Sequence, residues 1–413
     1  MNKSLLGFIL LTSPIIASAA GFGLVEQSGS GMGNAFAGGA AIAEDASTVY
    51  SNPAGMVYIQ GSQLVGAVHL INPNISFNNE GSVSGQFRPL GNEGGNAGDL
   101  AFIPNFYYKT DLTDSVKFGI GVNTPFGLST EYDKDWLGRF QAIKTELKTI
   151  NINPAIALKV NEQLSIGVGL SAMYAKAELT SAVNLGASER SSTVKGDDWG
   201  FGYNIGGIYQ VTPDTRIGLA YRSKVEQHLD GDVRFSIATG PTPNGDVEAN
   251  ITLPEAFSLS AFSRLNNTWD LMGDVTWTRW SQFQELAIYR SNGALLSKTN
   301  ESWENSLRYS IGANYNYSEA LKLRAGIAYD QEAIKDGFRT ARIPGNNRKW
   351  LSVGAGWKAT AATKFDIGYA HLFISDTGID DNQATATPLG KGRVRGEYEG
   401  SVDILSLQVS YNF

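Results

Sequence analysis

A transmembrane antiparallel β-barrel of about fourteen strands, with an N-terminal plug in its lumen, is the all-β fold class this sequence predicts. Three observations carry it: repeated alternation of apolar and polar side chains, connections that alternate between short and long, and an export-type start on a chain without cysteine. Alternation with period 2 marks strands whose two faces meet different surroundings.

The chain opens MNKSLLGFILLTSPIIASAAGF, with Lys3 before the apolar run Leu5 to Ile16 and the small residues Ala17-Ser18-Ala19 behind it. That order reads as a signal peptide over residues 1–19. The apolar run is shorter than the ~20 residues a spanning helix needs. No later window is apolar enough to span either, so strands must do the crossing.

Composition narrows the function classes. With 47 glycines, 11% aromatic and only 18% charged residues, the chain suits a β-protein with close backbone contacts and two solvents to face. Three histidines (His69, His228, His371) and no cysteine make no zinc set, and no metal or other cofactor is expected. A formal net charge of −7 argues against nucleic acid as a partner. No nucleophile, histidine and acid form a local constellation, so the chain does not read as an enzyme.

Residues 20–61 precede the first strand and include GSGMGNAFAGGAAIAEDAS from Gly29 to Ser47. This stretch has neither strand alternation nor a helical composition. Fourteen strands enclose more space than their own side chains fill. The segment is therefore expected to fold inside the lumen as a plug, leaving 62–413 as the barrel. GSGMG is not a phosphate loop, because Asn34 stands where a further glycine is required. Asn52-Pro53-Ala54-Gly55, shortly after Asp45, is a turn by composition. Phe22 is the only large aromatic between residue 20 and Phe36.

Val116, Phe118, Ile120 and Val122 form a strong strand that runs into Thr124-Pro125-Phe126-Gly127. Proline has no N–H for a ladder and a closed barrel has no edge, so either the strand ends there or it kinks and opens the wall. Spacing leaves both open. In the next segment Trp136, Leu137 and Phe140 share one helical face, as packing over the barrel mouth or as an apolar groove for a lipid-like ligand.

Alternating strands continue through Leu164–Tyr174, Trp199–Ile205, Leu307–Tyr315, Leu321–Tyr329 and Leu405–Phe413. The apolar faces are expected to meet lipid, and the polar or glycine faces to line the lumen. Tyr107, Tyr108, Trp277, Trp280, Tyr315, Tyr317 and Trp357 read as interface girdles. Short turns fall near 112–115, 160–163, 211–214, 265–268, 318–319 and 360–363. Long segments fall at 77–99, 126–146, 177–197, 231–248, 291–303, 331–348 and 375–400. Short turns on one side and long loops on the other are the layout of an outer-membrane barrel.

The stretch AGFGLVEQSGSGMGNAFAGGAAIAEDASTVYSNPAGM, with DWGFGYNIG, LAYRSKV and TWTRWSQFQ downstream, resembles the FadL-type family of outer-membrane transporters for long-chain fatty acids and aromatic hydrocarbons. The resemblance covers the whole exported chain. It implies passive uptake of hydrophobic compounds, fatty acids first, in the bacterial outer membrane by a multi-pass barrel. Asp45, Asn52, Pro53 and Ala54 would belong to a mobile hatch, Thr124 to Gly127 to a lateral opening, and Trp136, Leu137 and Phe140 to an outer capture groove. Phe22 would reach into the ligand pocket. Lys298 approximately matches a basic residue that meets the ligand carboxylate, and Asp330 an acidic position near it. After MYAKAEL, where the family can carry an arginine, this chain has Leu179-Thr180-Ser181, which leaves Lys176 to compensate. The implied partners are hydrophobic small molecules, outer-membrane lipid and lipopolysaccharide, and the barrel assembly machinery through Phe413, with the protein a monomer. Three alternatives remain at this point: an aromatic hydrocarbon channel of the same family, a general porin, and a surface adhesin or phage receptor, which the loops allow.

Overall fold

In the computed structural model the described residues are 21–238, 240, 242–384 and 389–413; the signal peptide expected at 1–19 lies outside them. They form one closed antiparallel ring of fourteen strands. In chain order these are β1 (Gln63–Asn79), β2 (Ala101–Asp111), β3 (Val116–Asn123 and Gly127–Glu131), β4 (Lys144–Lys159) and β5 (Leu164–Asn184). Next come β6 (Glu189–Thr212), β7 (Thr215–Arg222 and Val225–Phe235), β8 (Gly245–Leu253 and Ala256–Arg264) and β9 (Trp269–Thr278 and Glu285–Arg290). The last are β10 (Leu295–Asn300 and Ser306–Asn316), β11 (Leu321–Asp330), β12 (Arg348–Lys358), β13 (Thr363–Ile374 and Thr377–Asn382) and β14 (Arg393–Asn412). The ring closes where β14 pairs with β1, from Asn412↔Gln63 to Gly396↔Asn79.

The alternation falls as the solvents require. On β14, Leu405, Leu407, Val409 and Tyr411 stand exposed on the outer face, while Ser406, Gln408 and Ser410 are buried toward the interior. The six short turns connect strands at one rim. At the other rim several expected loops are largely strand: β5 and β6 run on to Asn184 and from Glu189, leaving only a tight hairpin. Two of the aromatic residues read as girdle members face inward instead. Tyr107 is buried and donates from its hydroxyl to the Gln27 carbonyl at 3.0 Å. Trp280 is buried among other aromatic rings.

Above the apolar band the wall exchanges its faces. On β7, Ile217 and Leu219 point outward, but beyond the break at 223–224 it is Val225, Leu229 and Val233 that are buried, with Glu226, His228 and Asp230 outward. Below the break the outside is lipid. Above it the outside is water, and the greasy surface has moved inside.

Residues 22–59 run through the interior of the ring as short turns of helix: Gly29–Met32, Gly39–Ile42, Thr48–Ser51 and the 3₁₀ turn Pro53–Tyr58. Backbone contacts reach the wall on every side. The Gly29 amide donates to Gln408 on β14 at 2.8 Å, Asn34 donates to Asn314 on β10 at 3.0 Å, and the Ala40 amide donates to Ser260 on β8 at 3.0 Å. Wall glycines make this approach possible. A Cβ on Gly206 would sit 1.9 Å from Asn52 Oδ1, one on Gly218 2.0 Å from the Ala40 carbonyl oxygen, and one on Gly326 2.2 Å from the Asn34 backbone. The segment is also fixed electrostatically: Glu44 Oε1 accepts from Arg324 (2.8 Å), Lys364 (2.8 Å) and Lys322 (3.0 Å).

Candidate functional site

The pocket is built where the inward apolar surface of the upper wall meets the start of the interior segment. Phe22 is 5% exposed, and its ring centroid lies 4.8 Å from Trp280, 5.7 Å from both Phe283 and Trp303, and 6.2 Å from Phe126. Leu147, Met173, Val225, Leu229, Ile251 and Leu253 complete the apolar cluster. Two cavities adjoin it and share Phe22, Leu128, Leu147 and Ile343 in their linings.

Beside this pocket the wall is interrupted. β2 pairs with β3 from Asp111↔Lys117 up to Phe106↔Val122, yet β2 continues to pair with β1 as far as Ala101↔Ile71. Beyond Val122 the backbone pairing resumes, among the described residues, at the bridge Gly98↔Thr130, and between these points the Thr124 amide donates to the Asn105 side chain at 3.3 Å. Pro125 supplies the local cause, because it cannot donate to a ladder. Residues 22–27 lie along the break. The Leu24 amide donates to the Pro125 carbonyl at 2.8 Å, and the Gly127 amide to the Phe22 carbonyl at 2.9 Å. Gln27 donates to the Thr124 carbonyl at 3.1 Å and accepts from Asn123 at 2.6 Å. One of the cavities is lined by Ala101, Ile103, Thr124 and Gly127, and it reaches Lys148, whose side chain is 68% exposed. Phe22 therefore occupies the pocket while its own backbone bridges the break.

Asn52 ties the interior segment together. Its Nδ2 donates to the Ala40 carbonyl at 2.7 Å and to Gly207 and Leu219 carbonyls of the wall at 3.2 Å each, and its Oδ1 accepts from Ala54 at 3.1 Å. Pro53 opens the following turn. Asp45 accepts from Ser30 and Ser47 hydroxyls at 2.6 Å and from Gln408 at 2.8 Å. These residues are packed against the barrel wall, and so is the Gly29-to-Gly39 stretch, with Met32 and Asn34 fully enclosed.

Other positions fall elsewhere than the sequence suggested. Lys298 is on the outer face of β10, half-exposed and paired with Glu285 at 2.5 Å, so it does not enter the pocket. Lys176 is likewise on the outer face of β5, since its neighbours Met173, Ala175 and Ala177 are the ones that meet the pocket. Asp330 is buried at the top of β11, opposite Arg308, in the cavity beside the interior segment, which Phe126 and Trp280 also line. Trp136, Leu137 and Phe140 form no open groove. They are 0%, 3% and 0% exposed, and Trp136 stacks on Tyr132 at 4.0 Å while donating to the Ala142 carbonyl at 2.6 Å. An apolar loop beyond the mouth would face water, and packing it into the loop layer removes that surface.

Two residues that sequence reasoning passed over lie next to residues of the pocket, Arg342 beside Thr145 and Glu301 beside Trp303. Arg342 donates to the Lys144 carbonyl at 3.2 Å and to Thr145 Oγ1 at 3.1 Å, both neutral acceptors, and Thr145 lines the apolar cavity. Burial pulls its guanidinium down to about 10. Glu301 is buried beside Trp303, whose indole donates to it at 3.2 Å, and burial pushes its carboxyl up to about 7.

The profile of the outer membrane transport proteins OMPP1/FadL/TodX matches residues 10–413. The long-chain fatty acid transport protein of Escherichia coli is 30% identical over 425 residues, covering 93% of this chain and 94% of that protein. Outer membrane protein P1 of Haemophilus influenzae is 34% identical over 90% of each. Among solved structures, a Pseudomonas aeruginosa FadL homologue superposes with a TM-score of 0.89 at 24% identity, covering 95% of this chain and all of the other. The Ralstonia pickettii toluene transporter TbuX gives 0.68 at 20% identity, over 95% and 98%. A closed barrel with an apolar face toward lipid, an internal apolar pocket and a match over nearly the whole chain leave one assignment: this protein belongs to the FadL/TodX family of outer-membrane transporters of hydrophobic compounds, which are not enzymes.

Proposed function

We propose that this protein takes up long-chain fatty acids by passive diffusion, with Phe22 as the internal competitor for the ligand site and the break at Thr124–Gly127 as the lateral way out. The observation that carries the reading is the position of Phe22, whose ring fills the apolar pocket while its carbonyl holds Gly127 across the break. A ligand that displaces the ring also pulls on the strand that fills the gap. Residues 20–61 then act as a hatch. Its lower part, keyed to the wall glycines, stays in place, and residues 22–27 are the part that moves. Lipid and lipopolysaccharide surround the barrel in this reading, Phe413 serves the assembly machinery, and one chain suffices.

An apolar site holds a long chain by about 0.8 kcal/mol per buried CH₂, which favours capture and makes a releasing movement necessary. The acid head has a partner in Arg342, whose hydrogen bonds among the described residues go to neutral acceptors and whose acidic neighbour is the buried Glu301, its own carboxyl pushed toward the protonated form by burial. A toluene-sized compound has no use for that cation, and this favours the fatty acid over the aromatic hydrocarbon. Mass spectrometry of apolar molecules copurifying with the protein tests the choice. Fatty acids are expected; monoaromatic compounds in their place overturn the substrate assignment, and large steady currents in planar bilayers overturn transport through a plugged barrel.

A further inference from the structure

The wall is interrupted a second time, on the far side of Phe22. The lower halves of β8 and β9 pair from Arg264↔Asp270 to Ala256↔Thr278, and the upper halves resume only at Ala249↔Ile288. Between them, residues 250–255 and 279–287 face one another without a ladder, apart from the Arg279 amide donating to the Glu255 carbonyl at 3.0 Å. Pro254 has no N–H to offer, and the opposite chain turns inward at Trp280–Gln282. The β6–β7 ladder next door is broken at a similar height, between Asn204↔Arg222 and Asp197↔Asp230. An unpaired stretch in a membrane barrel costs several kcal/mol for each unsatisfied backbone group in lipid. It is tolerable only where side chains or a lumen take over.

The inner and outer sides of this break are closed by different chemistry. Inside, Trp280 covers it, with its ring 5.1 Å from Trp303 and 4.8 Å from Phe22. Outside, Glu255 accepts from the Tyr221 hydroxyl at 2.6 Å, from Arg279 at 2.9 Å and from Gln282 at 3.5 Å. One cavity extends from Leu24 and Phe126 past Trp280 to Tyr221 and Pro254, and takes in Ile205, which stands 49% exposed on the outer face. The break lies where outward Leu219, Phe257 and Leu259 give way to outward Glu226, His228 and Asp230, at the upper border of the apolar band. Unlike the break at Pro125, it has no added backbone strand lying in it.

We propose that the wall carries a second lateral portal at Pro254, between β8 and β9, with Trp280 as its inner door and the Tyr221–Glu255–Arg279 cluster as its outer bolt. It passes apolar chains between the pocket and the outer-leaflet surface. This rests on the transport reading above. Displacing Phe22 removes a ring from one face of Trp280, so both doors answer to the same occupant.

Residues 255 and 279 continue the register of Ala256↔Thr278, so they lie directly opposite. Directly opposed residues of an antiparallel pair stand ~4.5–5.5 Å apart at Cα, within the range a disulfide spans. The chain has no cysteine of its own, so a Glu255→Cys/Arg279→Cys pair gives a clean lock. Uptake of radiolabelled oleate is measured in cells with the pair oxidised and then reduced, alone and together with Gly127→Trp. The oxidised pair should lower uptake to about half, with reduction restoring it. In the Gly127→Trp background oxidation should remove what uptake remains. Equal rates in the oxidised and reduced forms in both backgrounds overturn the portal. Absence of uptake by the unsubstituted protein overturns the transport reading instead. As a second measurement on that protein, a diazirine-bearing oleate should label residues around Pro254 and Tyr221 on illumination. Labelling confined to the Phe126–Gly127 side overturns the proposal.

Discussion

The carbonyl of Phe22 accepts the Gly127 amide at 2.9 Å while the Phe22 ring lies edge-on to Trp280 at 4.8 Å. One residue thus occupies the pocket with its side chain and closes the wall with its backbone. Because the ring competes with any apolar ligand, Phe22→Ala should tighten equilibrium binding of a fluorescent fatty-acid probe several-fold while the barrel still assembles. Unchanged binding would show that the ring and the ligand use different space.

Gly127 tests the backbone half of the same arrangement. A Cβ there meets the end of the flexible Leu24 side chain at 2.9 Å, so Gly127→Ala should be accommodated. Gly127→Trp should fill the break and lower oleate uptake to about half, with normal heat-modifiable migration on gels. Wild-type uptake by the tryptophan variant would mean that ligand does not leave by this side.

The strands were legible because each face of a strand below the apolar border meets a single solvent. Leu405 to Phe413 and Leu164 to Leu170 stand as their alternation says. The pocket was not legible, because the alternation changes phase at the breaks. In LAYRSKVEQHLD, Leu219 and Tyr221 are outward while Val225 and Leu229, an even number of positions after them, face inward across the 223–224 break. That phase slip is a signal in the sequence: Phe283 and Trp303 are out of phase with the inward residues of β9 and β10, whereas Trp280 already shares the inward parity of Met272 and Asp274. The slip would not have revealed Arg342, whose position depends on how the 331–347 loop folds back over β4. Lys298 and Lys176 looked like pocket residues by local match, yet strand parity turns both outward.

Arg342→Gln addresses head-group recognition. A charge-assisted hydrogen bond to a carboxylate contributes roughly 1.5–3 kcal/mol, and a methyl ester cannot exploit the cation equally. The substitution should therefore weaken binding of a fatty acid about tenfold or more and leave its methyl ester nearly unchanged. Lys298→Ala, on the outer face, should alter neither. Equal losses for acid and ester in Arg342→Gln would remove Arg342 from carboxylate recognition.

Glu301 gives a pH dependence with a definite sign. Burial raises its carboxyl from the ordinary 4.5 to about 7 in the folded protein, so folding favours the protonated form. Its contribution to stability is complete below 4.5, declines as pH rises toward 7, and is absent above that. Thermal unfolding in detergent, followed between those limits, should show this slope, and Glu301→Gln should flatten it. A slope of the opposite sign, or one unchanged in the variant, would assign the dependence to another group.

The wall glycines set the last prediction. A Cβ at Gly218 would stand 2.0 Å from the Ala40 carbonyl oxygen, and at Gly206 1.9 Å from Asn52 Oδ1, so neither site accepts alanine without moving the interior segment. Gly66 is a control on the same barrel, with nothing nearer than 3.7 Å. The strands themselves keep their ladders when Gly becomes Ala, so the barrel should still form and migrate normally. What changes is the seal, because Asn52 links the segment to both Gly207 and Leu219 and loses that seat first. Gly218→Ala and Gly206→Ala should therefore raise ion conductance in planar bilayers well above the unsubstituted protein, and Gly66→Ala should not. If all three conduct alike, the segment tolerates displacement without opening a water path, and the close fit at the glycines is not what keeps the lumen shut.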